Sequence, residues 1–290
     1  MLPLHLLLLA VSPALARPLE GNSAPVVESA ESVEAVEAAK SSNPPRSQIV
    51  YYAAFPSTGY KPCTDLSEGV KQLKYINNTK TDTQAALFQV DARKELILGI
   101  PGTASDIDRD TDLDFPPLPT ILLATPAQTA KCTRAAIKAA LAVNPTYNVV
   151  ISGHSLGGAI AHLAFGSLKP QALNVANLFT YGSPRVGDQK FADYIDSLAG
   201  ASDTTEGIAH RVTHYNDPVP RLPPSHPIFT KWEFIHPRTE YWESTMNVTQ
   251  AETFRCFGQE TTDCLFSISP ALNGDAHTSY AGLRNLCNTK

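Results

Sequence analysis

The stretch Ile151-Ser152-Gly153-His154-Ser155-Leu156-Gly157-Gly158-Ala159 decides how this chain is read. It holds Gly-x-Ser-x-Gly with Ser155 at its centre. An apolar, β-branched run, Tyr147 to Ile151, precedes it, and an alanine-rich run, Ala159 to Leu168, follows. Strand, sharp turn and helix in that order are what a nucleophile elbow requires. Gly153 and Gly157 then stand where a Cβ would collide with neighbouring strand and helix backbone. The turn lifts the Ser155 hydroxyl clear of the sheet and aims the N-terminus of the new helix at the reaction centre. The pentapeptide alone is a weak signal, and it is the flanks that make Ser155 the candidate nucleophile.

Upstream of this stretch, Ala85 to Val90 and Glu95 to Ile100 read as adjacent strands joined by a turn at Asp91–Lys94. Residues 127–142 have helical periodicity and stop before Asn144-Pro145. Downstream, Asn177 to Tyr181 and His210 to Tyr215 read as strands, with a helix over Gln189 to Leu198 between them. Alternating strands and helices predict an α/β fold with a mainly parallel central sheet covered on both faces.

At the N-terminus, Leu2 to Val11 form an apolar core followed by Ala14-Leu15-Ala16. Residues 1–16 are therefore expected to be a secretory signal peptide, too short to span a bilayer. Residues 17–47 carry five glutamates against Arg17, Lys40 and Arg46, with Pro44-Pro45 near their end. They bury little and read as an acidic disordered pro-segment or linker. Residues 48–290 then suit one catalytic domain. The net charge of −5 gives no reason to expect nucleic acid or another polyanion as partner. Five cysteines beside an export signal suggest disulfides, and the odd count leaves one unpaired. The expected pairs are Cys63 with Cys287 and Cys256 with Cys264, leaving Cys132 free on a helix. Asn77-Asn78-Thr79 and Asn247-Val248-Thr249 are glycosylation sequons that fit export.

A serine hydroxyl becomes a useful nucleophile only when a general base takes its proton. The partners of an elbow serine follow in the order acid, then histidine. Asp217 lies directly after the strand that ends at Tyr215, where the acid belongs. Asp193 and Asp196 read as a solvated helix face, and Asp263 and Asp275 are weaker candidates. Beyond the acid stand His226, His236 and His277. His226 follows Asp217 too closely for a separate return loop, and His236 sits in an aromatic stretch and reads as structural. His277 follows Asn273-Gly274-Asp275-Ala276, a loop able to carry it back over the elbow. His154 is expected to support the elbow and His162 to be packed. The cysteines look structural and the histidines are scattered, so no metal or other cofactor is expected.

Gly-His-Ser-Leu-Gly-Gly, Tyr-Gly-Ser-Pro-Arg-Val-Gly, Tyr-Asn-Asp-Pro-Val-Pro-Arg-Leu-Pro-Pro, Glu-Tyr-Trp and Asp-Ala-His-Thr-Ser-Tyr occur here in that order. Together they resemble the fungal class 3 lipase family, which also holds feruloyl esterases, over about residues 48–290. The resemblance implies an α/β-hydrolase fold, with Ser155 as nucleophile, Asp217 as acid and His277 as base, and it matches the two disulfides. For the oxyanion, Leu156 offers the N–H after the nucleophile. The family's second donor maps to Thr103, in Ile97-Leu98-Gly99-Ile100-Pro101-Gly102-Thr103, where Pro101 replaces the usual arginine.

The family's His-x-Gly-Phe strand is missing, and Thr120 to Ala124 is the only apolar run in its place. A reduced strand there, or residues lost from the sequence, is the expectation. The family's lid maps to Ala104 to Asp112, containing Asp106, Ile107, Asp108, Arg109 and Asp110. So polar a segment gains little from burial in lipid and predicts weak interfacial activation. The sequence thus predicts a secreted, extracellular serine hydrolase acting on carboxylic esters. Acylglycerols are the first choice of substrate, with a transient contact to a lipid interface and no stable protein partner. An esterase for soluble aromatic esters is the alternative, followed by a catalytically weakened binding protein of the same fold.

Overall fold

A computed structural model of the chain describes residues 46–78, 83–102, 127–225 and 233–287. The expected signal peptide, nearly all of the acidic segment, Thr103, the lid residues 106–110, the run Thr120 to Ala124 and His226 lie outside these described residues. The eight strands described form one sheet in sequential order. β1 (Val70–Asn78), β2 (Thr83–Val90) and β3 (Glu95–Ile100) make an antiparallel meander. From β3 onward, β4 (Asn148–His154), β5 (Val175–Tyr181), β6 (Ala209–His214) and β7 (Glu240–Glu243) run parallel. β8 (Thr253–Cys256) closes the sheet antiparallel to β7. The expected mainly parallel sheet is present, with a meander at one edge.

The central strands are apolar on both sides because both faces are covered. Leu96, Leu98, Ile100, Val149 and Ile151 point to one face, where they meet Ile137 of α3 (Ala127–Val143), Ala161 and Phe165 of α4 (Leu156–Leu168) and Ile195 of α5 (Gln189–Ala199). Ile97, Val150 and Phe179 point to the other face. There they pack on Ile49 and Tyr52 of α1 (Arg46–Tyr52), Phe55 of α2 (Ala54–Thr58), and Tyr280 and Leu286 of the C-terminal segment. α1 takes in Arg46 and Ser47, the last two residues of the expected linker, and the Arg46 guanidinium donates to the Val248 carbonyl at 2.7 Å.

β3 and β4 are direct neighbours, with Leu98 opposite Ile151 and Ile100 opposite Gly153. No strand stands between these two in the sheet of the described residues, and the run Thr120 to Ala124 lies outside them. Two disulfides are present, Cys63–Cys287 and Cys256–Cys264, and Cys132 is free and exposed. Asn77 and Asn247 of the two sequons are exposed.

Candidate active site

β4 ends at His154, and Ser155 adopts φ 57°, ψ −129° before α4 begins at Leu156. A non-glycine residue with positive φ is held there only by its surroundings. Those surroundings are backbone. A Cβ on Gly153 would overlap the Gly157 carbonyl, and one on Gly157 would overlap the carbonyls of Ile100 and Pro101. The two glycines thus let the start of α4 and the end of β3 close around the serine. The Ser155 N–H donates to the Tyr181 carbonyl at 2.9 Å, tying the turn to β5. As the first residue of α4, Leu156 has a backbone N–H with no intrahelical acceptor. A Cβ on Gly102 would lie 2.9 Å from the Ser155 Cβ, so the segment leading to Thr103 abuts the serine.

Asp217 follows β6 and is fully buried. Its Oδ2 accepts from His277 Nδ1 at 2.9 Å and from the Tyr280 hydroxyl at 2.6 Å, and its Oδ1 accepts from the Val219 N–H at 2.9 Å. A carboxylate facing three donors fixes the histidine tautomer, because Nδ1 must carry the proton. His277 Nε2 is then free to accept from the Ser155 hydroxyl, at 2.9 Å. Hydroxyl, imidazole and carboxylate therefore form one relay from three separate parts of the chain, the arrangement that generates an alkoxide nucleophile.

The other candidates lie elsewhere. His236 is buried with Nε2 on the Pro220 carbonyl at 2.7 Å, and His162 is buried with Nδ1 donating to the Gly158 carbonyl at 3.0 Å. Asp193, Asp263 and Asp275 are exposed. Asp196 departs from its expected place on a solvated face. It is buried because Arg238 reaches it with its guanidinium at 2.8 Å and its N–H at 2.7 Å. Among the described residues no cluster of His, Cys, Asp or Glu could hold a metal ion.

His154 has a more specific role than general support. Its Nε2–H donates to the carbonyl of His277 at 2.9 Å, and the two rings lie 4.8 Å apart. Desolvation, then repulsion from His277, holds the His154 pKa down to about 4, so this ring stays neutral beside the relay. Tyr280 was missed by sequence reasoning. Burial and then the Asp217 charge push its phenol well above the ordinary tyrosine range, which keeps it a donor. Its sequence signal was the Tyr three places after His277, read only as part of a motif.

Comparison with known proteins bears on the same site. The family profile "Lipase (class 3)" matches residues 116–226, which include Ser155 and Asp217. A secreted mono- and diacylglycerol lipase of Fusarium solani is 35% identical over 177 residues, 58% of this chain and 49% of that protein. A Rhizomucor miehei lipase is 32% identical over 239 residues, 77% of this chain and 62% of that protein. The chain is therefore similar in sequence to the class 3 lipases. It spans about half to three-fifths of the length of these two relatives. Among solved structures, a lipase from Rhizopus microsporus var. chinensis superposes with a TM-score of 0.70 at 27% identity, over 84% of this chain and 90% of that one. A Rhizomucor miehei lipase in a propeptide complex gives 0.70 at 26% identity, over 86% and 84% of the two chains. The fold is that of the α/β-hydrolases.

Proposed function

We propose that this chain is a secreted serine hydrolase of the class 3 lipase family that cleaves the ester bonds of acylglycerols through an acyl-enzyme. The observation that carries the reading is the relay Ser155 Oγ–His277 Nε2, His277 Nδ1–Asp217 Oδ2, both contacts at 2.9 Å. Ser155 attacks the ester carbonyl while His277 takes its proton, and Asp217 orients the imidazole and stabilises its charged form. His277 then gives the proton to the leaving alcohol and activates water against the acyl-enzyme. The N–H groups of Leu156 and Thr103 receive the oxyanion, and losing one such donor costs about 3–4 kcal/mol of transition-state stabilisation.

Names of relatives support acylglycerols over soluble aromatic esters, since two of them are lipases and one is specified as acting on mono- and diacylglycerols. Export is supported by the two disulfides and by the secreted Fusarium relative. Residues 1–16 as signal and the acidic segment as a pro-segment ahead of one catalytic domain complete the reading. The Rhizomucor propeptide complex is the precedent for such a segment. Contact with a lipid surface is transient, as the polar composition of residues 106–110, outside the described residues, leads us to expect.

The test is covalent. A fluorophosphonate probe should label the wild-type protein once, at Ser155. Ser155→Ala should keep its fold, lose the label and hydrolyse p-nitrophenyl and glycerol esters at least ~10³-fold more slowly. Hydrolysis that survives in the alanine variant would remove Ser155 from the mechanism.

A further inference from the structure

His214 and Glu243 stand directly opposite each other on β6 and β7, and neither side chain is exposed. Both ring nitrogens of His214 face backbone carbonyls, Nδ1 that of Ala276 at 2.8 Å and Nε2 that of Thr245 at 2.9 Å. A neutral imidazole has one N–H and one lone pair, so one contact would set a lone pair against a carbonyl oxygen. Only the doubly protonated ring satisfies both. A buried cation needs a counter-charge, and Glu243, its register partner on β7, is the carboxylate opposite it. Glu243 Oε2 accepts from the Ala281 N–H at 3.2 Å, while Oε1 has no hydrogen-bond partner among the described residues. An ionised oxygen buried without a donor is costly, so the charged carboxylate depends on the His214 cation opposite it.

The two side chains grip opposite ends of one segment. His214 holds Ala276, immediately before His277, and Glu243 holds Ala281, immediately after Tyr280. We propose that an imidazolium–carboxylate pair, His214 with Glu243, is the clamp that positions the backbone carrying His277. The clamp's effect on turnover rests on the reading of His277 as general base.

The groups facing the pair come from several elements. Arg46 of α1 acts on Glu243. The Tyr280 ring lies 5.3 Å from that of His214, and Tyr181 of β5 senses the Glu243 charge. Asp217, whose N–H donates to the His214 carbonyl, holds the Tyr280 hydroxyl. Burial pushes the Glu243 carboxyl up from its usual range, while the Ala281 N–H, His214 and Arg46 each pull it back. None of these groups supplies His214 with a donor that would let it discard a proton.

Histidine-selective ¹⁵N labelling reads the claim directly. At pH 8 both ring nitrogens of His214 should carry protons in the wild-type protein. The signal is assigned by its loss in His214→Gln, or by through-bond correlation should that variant not fold. In Glu243→Gln one of the two protons should be lost at pH 8. On p-nitrophenyl esters this variant should lower kcat with little change in KM. Its kcat relative to wild type should fall by about tenfold between pH 6 and pH 9 as the segment loosens. At pH 6 solution supplies the proton that the missing carboxylate no longer retains. A packing role alone would give a pH-independent ratio. That result, or a bare ring nitrogen on wild-type His214 at pH 8, overturns the clamp. Ser155→Ala separates the two readings, since it should abolish turnover and leave the His214 signals intact. Turnover surviving in that variant would sink the proposed function while the nitrogen signals still judged the ion pair.

Discussion

Between Gly153 and Gly157 the chain holds Ser155 mainly with backbone, through close approaches that an added Cβ would obstruct. The segment from Asn273 to Cys287 holds His277 by other means. It contains one five-residue helix, α6 (Gly274–Thr278), whose start is capped by the Asn273 side chain accepting from the Ala276 N–H at 3.1 Å. Beyond that cap its place is set by distant side chains: His154 on the His277 carbonyl, His214 on Ala276, Glu243 on Ala281 and Tyr280 on Asp217. Its far end is tied by Cys63–Cys287. Ser155 is thus fixed by close backbone approaches around its turn, and His277 by side-chain contacts across 38 to 123 residues of chain. A turn held by its own close packing tolerates distant change, whereas a segment held by remote groups loosens as each of them is removed.

The largest effect that would sharpen this contrast comes from the tether. The Cys63–Cys287 bond closes a loop with a sequence separation of 224, against 8 for Cys256–Cys264. On the chain-entropy account the long loop contributes up to ~5 kcal/mol and the short one about 2–3 kcal/mol. Cys63→Ser with Cys287→Ser should lower Tm by roughly 10–20 °C, and the Cys256/Cys264 pair by about half as much. On warming the first variant, ester hydrolysis should decay before far-UV dichroism, because the histidine segment frees itself before the elbow. Coincident loss of the two signals would show that both regions belong to one cooperative unit. The contrast would then describe construction and not stability.

The elbow's own weakness lies in its helix. Desolvation, then repulsion from Arg211, holds the pKa of His162 on α4 down to about 4. The folded protein therefore keeps this ring neutral, while the unfolded chain takes up a proton below about pH 6.5. Between those values the unfolded state binds more protons, so stability must fall as pH falls. From pH 7 to pH 5 the cost is on the order of 2 kcal/mol from this residue. Urea titrations at the two pH values should show a smaller difference for His162→Gln than for the wild type by about that amount. An unchanged difference would assign the acid sensitivity to other buried histidines, such as His210, whose pKa burial lowers to about 3.

How legible each region was in the sequence follows the same division. The elbow, β3 and β4 are apolar or glycine-bearing runs whose pattern dictates their conformation, and they stand where that pattern put them. β1 was passed over because its exposed face carries Lys71, Lys74 and Asn77, and its register shifts between Gln72 and Lys74. β7 has four residues, all buried, two of them glutamates. Burying Glu240 requires Arg211 at 3.3 Å and the Thr213 hydroxyl at 2.5 Å, partners that no local pattern reveals. The same holds at the site. Ser155, Asp217 and His277 were legible through motif and order, whereas His214, Glu243 and Tyr280 take their roles from residues they meet only in the folded chain.

Tyr280 offers the smallest effect and the finest test of the contrast. Its ring is buried against His154, Tyr181 and His214, and its hydroxyl gives Asp217 Oδ2 a 2.6 Å hydrogen bond. Tyr280→Phe keeps the ring and removes only that donor. Asp217 would retain the Val219 N–H and the His277 Nδ1–H, so the relay survives with a less constrained carboxylate. A hydrogen bond to a charged group contributes about 1.5–3 kcal/mol to stability, and part of that should be lost. If the hydroxyl also orients Asp217 toward His277, kcat on p-nitrophenyl esters should fall by roughly tenfold, about 1.4 kcal/mol of barrier, with KM unchanged. A variant that loses stability but keeps its full kcat would show that Asp217 is aimed by Val219 and its own turn. The acid would then side with the elbow as a locally encoded part, leaving His277 alone among the three to depend on remote groups.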